Sequence, residues 1–153
     1  MLKKIFTGIG IIFCILAIVG SLGFFILNFF ESKLNIVGQA YVDDMLPKIV
    51  AYWDVGTIIS QCDQELLQEE GAKESLGLMF QAFTEKLGYL KEYQGSFGEV
   101  DISLTSLGKV TGMYEAQAAF EKADAVIFLT INLNDGNWQI SEFRVNSPAL
   151  LPY

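Results

Sequence analysis

Histidine is absent from all 153 residues of the chain. Without an imidazole there is no Ser-His-Asp or Cys-His catalytic arrangement, no histidine-ligated zinc and no imidazole general base. Most common hydrolase mechanisms therefore lose their usual base. The glycine-containing stretches at 95–98 and 108–109 match neither the dinucleotide-binding fingerprint nor the P-loop, so both predict turns.

Cysteine is scarce, because the chain has only Cys14 and Cys62. The first falls in a long apolar segment and the second in a later, more polar region, so we expect neither a disulfide between them nor a shared zinc site. Cys62 lies in a stretch of helical periodicity and is predicted to be a small buried core residue; an intermolecular bridge and a reactive thiol are the alternatives. The segment 132–136 faintly resembles a calcium loop, but its misplaced glycine favours a plain hairpin. We expect no catalytic residue, no metal site and no cofactor.

Charge is missing from Ile5 to Phe30. As a helix with a rise of about 1.5 Å per residue, this segment would span about 39 Å, more than the roughly 30 Å hydrocarbon core of a bilayer. A cleaved signal peptide is the alternative, since Val19-Gly20-Ser21 offers small residues to a peptidase. The apolar run nevertheless continues beyond that site to Phe30, which favours an uncleaved anchor. We predict a cytoplasmic stub and transmembrane anchor over residues 1–30.

The distribution of charge predicts the orientation of this anchor. Lys3 and Lys4 precede the apolar run, and the positive-inside rule then places the N-terminus in the cytoplasm. We expect a single-pass protein of the cell membrane whose domain, residues 31–153, is extracytoplasmic, or periplasmic in a Gram-negative cell. These two lysines are the only ones of the ten basic residues before residue 31, and all eighteen acidic residues lie from Glu31 onward, so the domain has a formal net charge of −10. Such a charge repels nucleic acid and anionic headgroups.

Small residues recur along one face of the predicted anchor at spacings of three and four. They are Thr7, Gly10, Cys14, Ala17 and Ser21. Such a stripe allows another helix to approach closely and predicts self-association through this face. The alternative is that small residues are simply common in transmembrane helices.

The hydrophobic period changes along the domain and predicts an α+β fold. Periods near four predict helices over 32–52, 54–68 and 72–87, with Asp54 as an N-cap and Gly88 as a C-cap. From residue 89 the period is two, which predicts an antiparallel meander of mainly four strands. Asp135-Gly136 predicts a hairpin turn, and a change of register near 141–142 predicts a bulge.

This order of elements resembles the NTF2-like or cystatin-like superfamily, specifically its small exported bacterial domains of unknown function. The resemblance covers roughly residues 35–150 and rests on short matches. These are Tyr52-Trp53-Asp54, Lys86-Leu87-Gly88, Asp135-Gly136-Asn137-Trp138-Gln139-Ile140 and Asn146-Ser147-Pro148. The resemblance implies a curved sheet wrapped round a long helix, often with a cone-shaped pocket.

Three functions follow from these patterns. The first is a membrane-tethered binding or protein-interaction domain without catalysis, whose partners are the membrane through residues 5–30 and a membrane or envelope protein. The second is a carrier or sensor of small apolar ligands in an NTF2-like cone. The walls of its pocket would be Trp53, Tyr114, Phe128 and Trp138. The third, an isomerase or dehydratase, is implied by the resemblance alone and would use Tyr114 with Asp101 or Asp124.

Overall fold

The computed structural model of the protein describes residues 2–103 and 108–151, with side chains from residue 13 onward. The chain separates into two compact units that meet between Leu34 and Asn35. Lys3, Lys4, Thr7 and Gly10, which entered the predictions of orientation and self-association, lie in the part of the helix for which the structure describes the backbone alone.

The first unit is helical throughout its described length, as part of a helix, α1, that runs from Leu2 to Val50. Its side chains are exposed from Phe13 to Ile26. The most apolar 18-residue window of this helix has a mean hydropathy of 2.3 and none of it is buried. By length and composition the helix can cross a membrane, and the exposed apolar surface is compatible with anchoring in a lipid environment.

The helices of the second unit follow the predicted order. α1 ends at Val50 and passes through Pro47 without interruption. It is followed by α2 (Val55–Gln61), α3 (Gln64–Gln68) and α4 (Ala72–Leu87). Asp54 caps α2 by accepting a hydrogen bond from the Gly56 backbone N–H, and Gly88 caps α4. Both caps confirm the sequence prediction.

The predicted single helix over 54–68 is wrong, because α2 and α3 are separate. Cys62 has an extended backbone and forms a parallel bridge with Ile140. The next backbone N–H, of Asp63, donates to the Ile140 carbonyl at 2.8 Å. The Asp63 side chain then caps α3 by accepting from the Leu66 backbone N–H at 2.9 Å. Pairing with a distant strand therefore outweighs the local helical periodicity.

The sheet is an open antiparallel meander in the order β1-β2-β3-β4. Its strands are β1 (Leu90–Ser103), β2 (Lys109–Phe120), β3 (Asp124–Asn134) and β4 (Asn137–Asn146), and a short 3-10 helix follows at Pro148–Leu150. The α+β class and the four-stranded antiparallel sheet are thus confirmed.

Two local features of the sheet confirm predictions made from turn and register patterns. Asp135 and Gly136 both have positive φ, 49° and 78°, as a tight two-residue hairpin requires. Thr130 pairs with Glu142 whereas Ile131 pairs with Ile140, which leaves Ser141 as the extra residue of a bulge.

Alternation along the strands gives the sheet a buried inner face and a solvent-facing outer face. The buried inner-face residues are Val100, Tyr114, Ala116, Ala118, Phe120, Ala125, Ile127, Leu129, Ile131 and Ile140. A stripe of α1 that includes Val42, Leu46 and Ile49 is buried as well. Phe80 and Phe83 of α4 are also buried, and their rings contact Phe143 and Trp53. One hydrophobic core therefore lies between the helices and one face of the sheet.

Candidate functional site

Trp53 lies in the core rather than on the wall of an open pocket. Its side chain is 3% exposed, and the ring centroid is 4.9 Å from that of Phe83 and 5.0 Å from that of Phe120. The indole Nε1 donates to the Gly88 carbonyl at 2.8 Å. Trp53 therefore joins α4 to the sheet, because its ring packs on one aromatic ring from each and its N–H is hydrogen-bonded.

Tyr114 is held on the inner face of β2 by contacts with α1. It is 3% exposed, and its hydroxyl donates to the Asn35 side-chain oxygen at 2.8 Å. A Cβ atom at Gly38 would lie only 2.5 Å from this hydroxyl oxygen, so the ring fits against bare helix backbone. Burial, together with the negative charge of Asp43, raises the pKa of Tyr114 to about 12. The phenol is therefore protonated at neutral pH.

A row of polar side chains on α1 covers the edge of β1. Asn35 Nδ2 donates to the Gly98 carbonyl at 3.2 Å and Gln39 Nε2 donates to the Ser96 carbonyl at 2.5 Å. Asp43 accepts from the Ser96 backbone N–H at 2.9 Å. A spacing of four places the three side chains on one helix face. The row occupies backbone groups of an edge strand that could otherwise pair with another chain. The sequence analysis missed it, although polar residues at i, i+4 and i+8 were its signal.

The structure does not bring together the acid and tyrosine of the isomerase hypothesis. Asp101 pairs with Thr111 and Asp124 with Ala119, on the opposite face of the sheet from Tyr114. Both aspartates are exposed. Their side chains are therefore placed in solvent, without the desolvation that a carboxylate base near neutral pH requires.

The carboxylate on the same side as Tyr114 is Asp43, and its contacts are structural. Asp43 Oδ1 accepts from the Tyr93 hydroxyl at 2.7 Å as well as from the Ser96 backbone. Burial, and then the hydrogen bond and charge of Asp43, raise the pKa of Tyr93. This pair of donors fixes the β1 segment between residues 93 and 96, where the register against β2 shifts.

Phe128 and Trp138 line separate depressions. Trp138 lies with Tyr41 and Gln61 in a depression of about 630 Å³ between α1, α2 and the β3–β4 hairpin. Phe128 lies on the outer face of the sheet. The four aromatic residues predicted to form one pocket are thus divided between the core and two surface sites.

The outer face of the sheet carries a depression of about 640 Å³ lined by both apolar and charged side chains. We call its outward-pointing side chains the outer-face patch. They are Phe97, Glu99, Met113, Glu115, Phe128, Thr130, Glu142 and Arg144. Phe97 and Met113 are 56% and 52% exposed. Neighbouring strands contribute these residues, so the patch exists only once the strands are paired.

The charges of the outer-face patch are three carboxylates and one guanidinium. The Arg144 guanidinium lies 4.8 Å from the centroid of the Phe128 ring, a cation–π distance. Glu142 accepts a hydrogen bond from the Thr130 hydroxyl at 3.2 Å. In the described part of the chain, no ion pair joins members of the patch. Among the described residues, Glu99, which is exposed, and Glu115, which is half-buried, therefore have no ion-pair partner.

Metal and thiol chemistry receive no support from the described residues. Within 13–103 and 108–151 no group of three or more His, Cys, Asp or Glu side chains is arranged to hold a metal ion. Cys62 is buried, as predicted. Burial and the neighbouring charge of Asp63 raise its pKa to about 11, so it is a neutral thiol at physiological pH.

No protein family, curated protein or solved structure matches the chain. Function is therefore argued from the residues of the chain itself. Two features of the unit that begins at Asn35 bear on it: the closed packing around Trp53 and Tyr114, and the exposed outer-face patch.

Proposed function

We propose that the chain is a single-pass, membrane-tethered domain that binds a macromolecular partner and has no catalytic role. The observation that supports this is the outer-face patch, where Phe97 and Met113 retain more than half of their exposure, 56% and 52%. Scattered exposed apolar residues are ordinary, but apolar side chains gathered on three neighbouring strands together with charged residues are typical of an interaction surface. A partner that covers it would remove this apolar area from water.

The anchor supports the tethered part of the proposal. Its exposed apolar side chains suit a lipid environment, and the charges of Lys3 and Lys4 favour a cytoplasmic N-terminus with an extracytoplasmic domain. A tether raises the concentration of the domain near other membrane or envelope proteins, so that a modest intrinsic affinity is sufficient.

The packing of the interior favours a binding surface over a ligand-carrying cone. Trp53 and Tyr114 would have to line such a cone, yet each is 3% exposed and has its polar atom bonded within the fold. We also propose, from helices that precede an antiparallel four-stranded meander, that the domain is NTF2-like or cystatin-like.

Site-specific photo-cross-linking in the membranes of the native cell tests the proposal. A photoreactive amino acid at Met113 should form a cross-link to one defined protein, identified by mass spectrometry. The matched control is Leu78 on α4, which is 70% exposed but lies outside the outer-face patch. No cross-link at Met113, or the same cross-links from Leu78, would contradict the proposal.

A further inference from the structure

The register of the strands places a glutamate directly opposite each apolar side chain of the outer-face patch. Glu115 is the cross-strand partner of both Phe97 on β1 and Phe128 on β3, and Glu99 is the partner of Met113. Directly opposed residues on one sheet face lie roughly 5 Å apart at Cβ. Apolar and negative groups therefore alternate over β1 and β2. On β4 the rows end at Arg144, opposite Phe128, and at Glu142, opposite Thr130, so three carboxylates and one guanidinium give the patch a formal charge of −2.

We propose that the occupant of the outer-face patch is a basic segment of a partner protein that also carries aromatic or aliphatic side chains. This inference rests on the proposed function, because it names the class of partner for the same surface. A complementary segment would place apolar groups against Phe97 and Met113 and cations beside Glu99 and Glu115. Such pairing gives specificity as well as attraction.

Electrostatics favours a basic segment over two other possible occupants of the outer-face patch. A second copy of the chain, docked through the same face about a two-fold axis, would bring together two patches that each carry three carboxylates against one guanidinium, and their net negative charges repel. An anionic bilayer surface would meet the same repulsion, since the residues from 31 onward carry eight basic and eighteen acidic side chains. A basic protein segment is attracted by both the patch and the overall field of the domain.

The dimensions of the patch suit a single segment. It extends from β1 to β4, and four strands about 4.8 Å apart place the outer two about 14 Å from each other. One α-helix is about 10–12 Å in diameter with its side chains, and one extended strand is narrower. The patch therefore accommodates one such segment rather than the face of a whole domain.

Peptide binding to the full chain in phosphatidylcholine nanodiscs tests the inference. The probe is a fluorescent eight-residue peptide of alternating Lys and Phe; the comparison peptides alternate Glu with Phe and Lys with Gly, and empty nanodiscs provide the blank. We expect the Lys/Phe peptide to bind, with a Kd that rises with ionic strength, and both comparison peptides to bind at least tenfold more weakly.

Two matched sets of variants locate the binding. Combined Glu99→Gln, Glu115→Gln and Glu142→Gln should weaken Lys/Phe binding about tenfold. The control, Glu65→Gln, Glu69→Gln and Glu74→Gln, removes the same charge from exposed residues of α3, α4 and their junction, and should change the Kd less than about twofold. Likewise Met113→Ser should weaken binding and Leu78→Ser should not. Unchanged melting temperatures verify folding.

The outcomes distinguish this inference from the proposed function. Equal losses in the two glutamate sets, tighter binding of the Glu/Phe peptide, patch-dependent binding to phosphatidylglycerol vesicles, or self-association through Met113 would each overturn the basic-segment inference. A specific cross-link from Met113 would then still support a protein partner of another chemistry. Absence of both the cross-link and peptide binding would overturn both proposals.

Discussion

Replacing Asp43 with alanine removes the carboxylate that holds β1 against α1. Its Oδ1 atom accepts from the Tyr93 hydroxyl at 2.7 Å and from the Ser96 backbone N–H at 2.9 Å. These donors flank the two residues at which the pairing of β1 with β2 changes register. Asp43→Ala would therefore leave two donors without their acceptor beside the least regular part of an edge strand.

The magnitude follows from the surroundings of the two donors. Ser96 is buried, so leaving its N–H unsatisfied should cost about 1–3 kcal/mol. Tyr93 is half-buried and its hydroxyl can turn toward water, which limits its loss to about 1 kcal/mol. Together they give about 2–4 kcal/mol, a fall in Tm of about 10 °C for a domain of this size. Asp43→Asn keeps an acceptor oxygen and should lose only about 1 kcal/mol.

The neighbouring aspartate provides the control. Asp44 pairs with Lys48 at 2.8 Å, but the two side chains are 73% and 63% exposed, and such a helical pair contributes only about 0.3–0.5 kcal/mol. Thermal unfolding of the full chain in detergent, followed by near-UV circular dichroism, should separate the two alanine variants clearly. Hydrogen exchange at the Ser96 amide should accelerate in Asp43→Ala alone. Equal Tm shifts, or an unchanged Ser96 amide, would refute the reasoning.

Four further predictions use other parts of the chain. The free energy of unfolding should fall as pH rises from about 10 to about 12, because the unfolded chain loses its tyrosine protons near pH 10 whereas the folded pKa values of Tyr41 and Tyr114 are about 12. When this free energy is measured by denaturant unfolding at each pH, Tyr114→Phe should make the fall smaller. Gly38→Ala should lower the Tm because its Cβ would meet Tyr114, whereas Gly77→Ala, with no atom within 4 Å, should raise it by removing a helical glycine. Gly136→Val should cost about 1–2 kcal/mol in urea unfolding through strain at positive φ, and unchanged stability would contradict that turn. Alkaline phosphatase fused after Tyr153 should be active in a bacterial host and a cytoplasm-dependent reporter silent, and the reverse would overturn the orientation.

Local patterns were sufficient where local physics determines the structure. α4 begins at Ala72 and ends at Leu87, as the apolar spacing and Gly88 predict. The β3–β4 hairpin depends on the positive φ that Asp135 and Gly136 tolerate, and the bulge follows from a change of parity along one strand. Each of these features depends on residues that are close to one another in the sequence.

Tertiary contacts determined what local patterns could not. The break between α2 and α3 arises because Cys62 and Asp63 pair with Ile140, far along the chain. The same limit applies to α1, where the period near four does not say which apolar residues are covered: Val37 is 56% exposed, while Val42 and Leu46 are fully buried. A helical pattern gives a period, but the position of the sheet decides which residues of the helix are covered.

The candidate site was hidden from sequence reasoning for a further physical reason. A sheet covered by helices on one face normally alternates apolar with polar residues. Phe97 on β1 and Met113 on β2 break that rule, as does Phe128 on β3, where Val126 also faces outward. One or two such residues are unremarkable in any one strand. Pairing of the strands places the three side chains together, with Glu99 and Glu115 between them. Because the patch takes one apolar residue from each of three strands, it leaves no linear motif in the sequence. Its function is therefore tested by substitutions at these separate positions rather than by deleting a continuous segment.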